Sequence, residues 1–154
     1  MTDDPGPPRG ADRAGGLRIP PNCDLTLGLR RTDGADPASS TWTMSADERF
    51  ANPTGQVQGG ILAALADSAT AAAVVTWSRA RQMRVTVATT DLHIRFLRPA
   101  ASGPGRVLTC TARVRSGGRR IVFADAELTD EEGTLVATAT ATCLLTPRDR
   151  APVP

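Results

Sequence analysis

A pair of glycines opens the longest apolar run of this chain, and one carboxylate interrupts that run: Asn52-Pro-Thr-Gly-Gln-Val-Gln58-Gly59-Gly60-Ile-Leu-Ala-Ala-Leu-Ala-Asp67. A charge on an otherwise apolar helix is costly unless something compensates it. The flanks Ala64 to Ala66 and Ser68 to Ala71 carry no cation at helical spacing. A helix start, with unpaired N–H groups, favours negative charge. Together these residues point to acyl transfer. Gly59 would present an N–H to a developing oxyanion with Gly60 beside it, and Asp67 would serve as nucleophile or general base. A glycine pair is equally at home in a plain turn, so Asp67 carries most of the weight.

Spacing constrains how these groups meet. Eight residues of helix separate Gly59 from Asp67 by ~12 Å. A reacting carbonyl needs its donor and its attacking group each within ~3–3.5 Å. One helix does not easily bring both to one carbonyl. Two antiparallel copies do, which predicts a symmetric dimer with two equivalent interface sites. Asn52, in a loop before Pro53, is either a turn residue or an orienter of a carboxylate or water. Thr89 and Thr90 fall on a strand, where threonine is an ordinary β-former. Plain alternation puts Thr89 on one face with Asp91, His93 and Arg95, and Thr90 on the other with Leu92, Ile94 and Phe96. His93 reads as a surface or interface residue.

Other chemistries are poorly served. The chain has no G-x-S-x-G elbow and no lysine for a phosphate loop. One histidine and three scattered cysteines, Cys23, Cys110 and Cys143, do not suit a metal cluster or a disulfide framework. Cys110 and Cys143 read as small core residues. Eighteen arginines against sixteen carboxylates leave a net charge of +2, too balanced to argue for nucleic acid. Without tyrosine, and with five other aromatics, stacking platforms for bases are not expected. The start of the chain has no apolar core of a signal peptide, and the run Ile61 to Trp77 looks short and polar for a membrane span. The expectation is a cytoplasmic protein with neither membrane nor nucleic acid as partner.

The elements that must hold these residues follow from the pattern. Residues 1–20 and 148–154, rich in proline and charge, read as tails around one domain over 21–147. Cys23 to Arg30 and Ser40 to Ser45 read as strands joined by a turn at 33–37. Gly59 to about Arg79 reads as a helix apolar nearly all round, hence buried. Val85 to Leu97, Arg106 to Val114, Ile121 to Thr129 and Thr134 to Leu145 alternate as strands, with turn residues at 102–105, 116–120 and 130–133 suggesting three successive hairpins. The class is α+β: a long helix wrapped by an antiparallel sheet of about six strands.

At this point Asn52…Gln58-Gly59-Gly60…Leu-Ala-Asp67, with Asp91-Leu-His-Ile-Arg-Phe-Leu-Arg-Pro-Ala100, resembles the signature of hotdog-fold acyl-CoA thioesterases. The likeness is to the phenylacetyl-CoA thioesterase type and its 4-hydroxybenzoyl-CoA relatives, over about residues 22–146. It implies the hotdog fold, homodimers that often pair into tetramers, an acyl-CoA substrate and no cofactor or metal. By the resemblance, Gly59 supplies the oxyanion N–H, the partner chain's Asp67 is nucleophile or base, Asn52 holds the carboxylate or water, and Thr89 positions the water. CoA would run near Thr89, Thr90, Asp91 and Arg119. The family commonly has histidine where this chain has Gln58, which can donate a hydrogen bond but does not titrate near neutral pH. That departure motivates an alternative, a non-catalytic acyl-CoA binding module. A hotdog dehydratase ranks last, because no histidine follows Asp67 on the helix. Ala63 and Ala64 leave room for an acyl group, and Trp77 and Met83 are candidates to cap it.

Overall fold

The computed structural model describes residues 23–32 and 36–148. The expected N-terminal tail, positions 149–154 of the C-terminal one and part of the 33–37 turn lie outside the described residues. A short helix α1 (Cys23–Thr26) and strands β1 (Arg30–Thr32) and β2 (Ser39–Ser45) precede a long helix α2 (Gly59–Ala80). Four strands follow: β3 (Val85–Phe96), β4 (Val107–Gly117), β5 (Ile121–Thr129) and β6 (Leu135–Pro147). They form one six-stranded sheet in the order β1-β2-β4-β5-β6-β3, with every neighbouring pair antiparallel.

Helix α2 packs on one face of this sheet. Small residues let it lie close: Ala66, Ala69 and Ala73 are fully buried, and the Ser40 hydroxyl donates to the Ala69 carbonyl at 2.6 Å. Leu62, Leu65 and these alanines meet Trp42, Met44, Leu108, Leu128 and Val136 in the main core. Val74 and Trp77 form a second cluster with Val122, Ala124, Cys143 and Leu145. Trp77 therefore belongs to the core. By length and composition α2 is apolar enough to cross a membrane, contrary to the reading of its sequence; in this fold it is the central helix against the sheet.

Three sequence expectations are corrected. Cys23 to Thr26 is a helical turn, and only Arg30–Thr32 of that region is strand. The polar residues among Cys23, Leu25 and Leu27 mimic alternation over too short a run to separate the two periods. The connection at 102–105 is not a hairpin, since β3 and β4 lie at different places in the sheet and β3 pairs with β6. A Gly-Pro-Gly turn reports a change of direction but not which strand is joined next. Third, the register of β3 against β6 shifts between Thr89 and Asp91. This bulge reverses the alternation: Val85, Val87 and Thr89 are half-buried on the helix side, and so are Leu92 and Ile94. Thr89 thus faces α2, whereas Asp91, His93 and Arg95 are exposed.

Candidate active site

The loop before α2 is organised by Asn52. Its side-chain oxygen accepts from the backbone N–H of Thr54 and Gln56 and from the Thr54 hydroxyl, at 2.9, 3.1 and 2.7 Å. Its backbone N–H donates to the Gln56 carbonyl. This is an Asx turn, and it engages the acceptor half of the Asn52 amide. The loop is anchored by buried Val57, whose N–H donates to Ala100, and by Gln58, whose N–H donates to Phe50.

Gln58 is the N-cap of α2, but its exposed side chain makes no capping bond. Its carbonyl accepts from Ile61 and, at 3.4 Å, from Leu62. The N–H groups of Gly59 and Gly60 find no acceptor among the described residues, so the positive end of a 22-residue helix is presented bare. At Gly59 an added Cβ would sit 3.0 Å from the ring of Phe96, which lies over this glycine while remaining 54% exposed. At Gly60 the space is open.

Two turns further on, Asp67 is half-buried. The Thr89 hydroxyl donates to its Oδ1 at 2.6 Å, short enough for a charge-assisted bond. No described cation pairs with Asp67. Its carboxylate and Thr89 line a cleft of about 450 Å³ between α2 and β3, together with Gly60, Ala63, Ala64, Thr90, Asp91 and Leu92. The bulge places the Asp67–Thr89 contact in this cleft by turning Thr89 inward, and the Thr90 hydroxyl bonds the Thr142 carbonyl at 3.1 Å.

The cleft therefore brings together Asp67, Thr89, Thr90, Asp91 and Gly60. Asn52, Gln58 and Gly59 gather at the start of α2, and Arg119 lies apart, exposed beyond Gly117 in the β4–β5 connection. Ala63 and Ala64 do line the cleft; Trp77 and Met83 pack in the second core cluster instead. Two neighbours escaped sequence reasoning. Phe96 covers Gly59, a contact between residues 37 positions apart that only the pairing of β3 with α2 creates. Cys143, opposite Thr89 in the ladder, lies buried behind the site. Burial pushes its thiol pKa upward, the Thr89 hydroxyl partly offsets this, and the Asp67 carboxylate adds to it. No group of histidine, cysteine or acidic residues among those described has the arrangement of a metal site.

Residues 54–137, just over half of the chain, match the family described as the thioesterase superfamily. Among solved structures, a phenylacetic acid degradation-related protein of Ralstonia eutropha JMP134 is 35% identical with a TM-score of 0.71, over 85% of this chain and 95% of that one. The PaaI protein of the E. coli phenylacetic acid degradation operon is 26% identical with a TM-score of 0.71, over 80% and 83%. A thioesterase of Haemophilus influenzae is 25% identical with a TM-score of 0.72, over 80% and 82%. No curated protein matches the chain. With the helix, the six-stranded sheet and the family match in agreement, the chain belongs to the thioesterase superfamily and is a thioester hydrolase of the hotdog fold.

Proposed function

We propose that the protein is a cytoplasmic acyl-CoA thioesterase that needs no cofactor or metal and works as a homodimer, alone or paired into a tetramer, with two sites shared between subunits. The observation that carries this reading is the 2.6 Å Thr89–Asp67 bond on the wall of an open cleft, on the same helix whose first N–H groups lack acceptors among the described residues. Asp67 either takes a proton from water, whose oxygen attacks, or attacks the thioester carbonyl itself. A C–O bond forms, and the carbonyl electron pair moves onto an oxygen held by the partner subunit's Gly59 N–H. Collapse then breaks the C–S bond; the thiolate takes up the proton held on Asp67 in the first route or one from solvent in the second, where water then hydrolyses the mixed anhydride left on Asp67 to release the acid and free the carboxylate. Thr89 orients the carboxylate, and Asn52 steadies the loop that carries Gln58 and Gly59. Gln58 and Gly60 border the acyl end; Thr90, Asp91 and Arg119 lie along the CoA.

The dimer is supported by helix geometry and by the sheet. Strand β3 is twelve residues long and, among the described residues, has a partner on one side only, and unpaired edges of that length invite a second copy. Free-thiol release from a panel of acyl-CoAs tests the activity, and the preferred acyl group emerges from the same panel. Turnover by wild type that Asp67→Asn abolishes supports the reading. Equal background rates in both, with tight acyl-CoA binding retained, would instead select the binding module.

A further inference from the structure

The outward face of β3 carries a self-complementary run, Asp91-Leu-His93-Ile-Arg95, with an acid and a base equally spaced about the histidine. All three outward residues are exposed, and neither Asp91 nor Arg95 forms an ion pair with a described residue. Their ladder partners on β6 are Thr142, Thr140 and Thr138, which offer hydroxyls and no charge. His93 and Arg95 line a hollow of about 180 Å³ over Thr138 and Thr140, which leaves room for an incoming carboxylate. On the inward face Leu92 and Ile94 are half-buried against the main core. Beyond them, Phe96 and Leu97 are exposed. No described strand lies beyond β3.

We infer that this run is the chain's code for recognising a second copy of itself: the two β3 edges meet antiparallel with His93 on the two-fold axis, and each Asp91 pairs with the partner subunit's Arg95. The inference rests on the shared-site dimer proposed above and specifies what fixes its register. With His93 on the axis, Leu92 stands opposite the partner subunit's Ile94. Directly opposed residues share a face, so charge meets charge outside and apolar meets apolar inside. Neighbouring registers serve the charges poorly. An axis through Asp91 or Arg95 opposes like charges. An axis through Leu92 sets Asp91 against the partner subunit's His93 and leaves Arg95 without an acid. An axis through Ile94 sets Arg95 against the partner subunit's His93 and Asp91 against the partner subunit's Leu97. The site leads to the same place by another route. Thr89 stands against Asp67, and Phe96 against Gly59. For the partner subunit's Gly59 to approach Asp67, the partner subunit's Phe96 must come alongside Thr89. The axis then falls midway between those strand positions, at Leu92 or His93, and the ion pairs select His93. Asp91 also borders the cleft, so the contact that sets the register lies at the edge of the shared site.

The test uses the full-length chain carrying Cys23→Ser, which leaves two buried thiols. Each residue from Asp91 to Arg95 is changed to cysteine in turn and the protein is oxidised. A residue on the axis faces its own copy at about 4.5–5.5 Å, within reach of a disulfide, whereas the two copies of Asp91, or of Arg95, stand roughly 13 Å apart. The expectation is a covalent dimer that forms fastest for His93→Cys among the single variants, and one that forms readily when Asp91→Cys and Arg95→Cys are combined. In the chain without added cysteines, subunit affinity read by sedimentation should fall at least about tenfold in Asp91→Arg and in Arg95→Asp, and return to within about threefold of the parent when both are combined. Faster cross-linking at Leu92→Cys or Ile94→Cys overturns the inference and leaves the dimeric thioesterase standing. So does a charge exchange that dissociates as readily as either single variant. A chain that is monomeric before any substitution overturns both the inference and the shared site. Cross-linking at His93→Cys with no hydrolysis of any thioester would sink the thioesterase reading and uphold the register.

Discussion

At the scale of single residues the site depends on one short bond. Replacing Asp67 with asparagine keeps shape and removes the charge, so kcat should fall about 10²–10⁴-fold with an unchanged far-ultraviolet circular dichroism spectrum. Thr89→Val deletes a hydrogen bond to a charged group, worth about 1.5–3 kcal/mol. The expected loss in kcat/KM is roughly 10–100-fold in steady-state assays; a smaller effect on kcat/KM than on thermal stability would mean that Thr89 is merely structural. The two buried thiols make a pH prediction. Burial holds the Cys110 pKa up at about 12, from 9.0, and raises that of Cys143 as well. Each thiol therefore binds its proton more tightly folded than unfolded. Their contribution to stability is complete below pH 9 and declines as pH rises above 9, for Cys110 towards about 12. Urea midpoints measured across that range should drop, and a thiol reagent should label exposed Cys23 first.

At the scale of elements, close packing sets the tolerances. An added Cβ at Gly117 would come within 2.9 Å of Val122 and 3.0 Å of Trp77. Gly117→Ala should therefore cost about 1–3 kcal/mol, read as a lower urea midpoint, and should loosen the hairpin that carries Arg119 and Arg120. The elements also show what a sequence discloses. Helix α2 was legible because it stays apolar nearly all round over about six turns, and the strand Ile121–Thr129 because it alternates throughout its length. Asp67 and Gly59 were legible because each departs from its surroundings in chemistry. The inward face of Thr89 was not, because a bulge adds one residue without changing composition. Nor was the placement of β3 beside β6, which turn residues do not encode. Phe96 over Gly59 and Cys143 behind Thr89 are tertiary contacts with no local sign.

At the scale of the molecule, the shared site makes its own prediction. A dimer should elute at twice the chain mass in light scattering. Asp67→Asn and Gly59→Val should each be inactive alone. Refolded together in equal amounts, half of the dimers would be mixed, and each mixed dimer would hold one intact site, so about a quarter of wild-type activity should return. No recovery would place Gly59 and Asp67 in the same subunit's site, and activity of either variant alone would show that residue to be dispensable.

Strand β3 also behaves as two reading frames joined at Thr90. On either side of the shift the alternation is regular, but the two halves disagree about which face is inside. A deletion of Thr90 alone would merge the frames. Val85, Val87 and Thr89 would then alternate in step with Leu92 and Ile94, all towards α2, and the ladder against β6 would run without an extra residue. An ordinary substitution at Thr90 leaves both frames in place. This position should therefore accept many side chains, and its deletion should straighten the strand while keeping Thr89 turned towards Asp67.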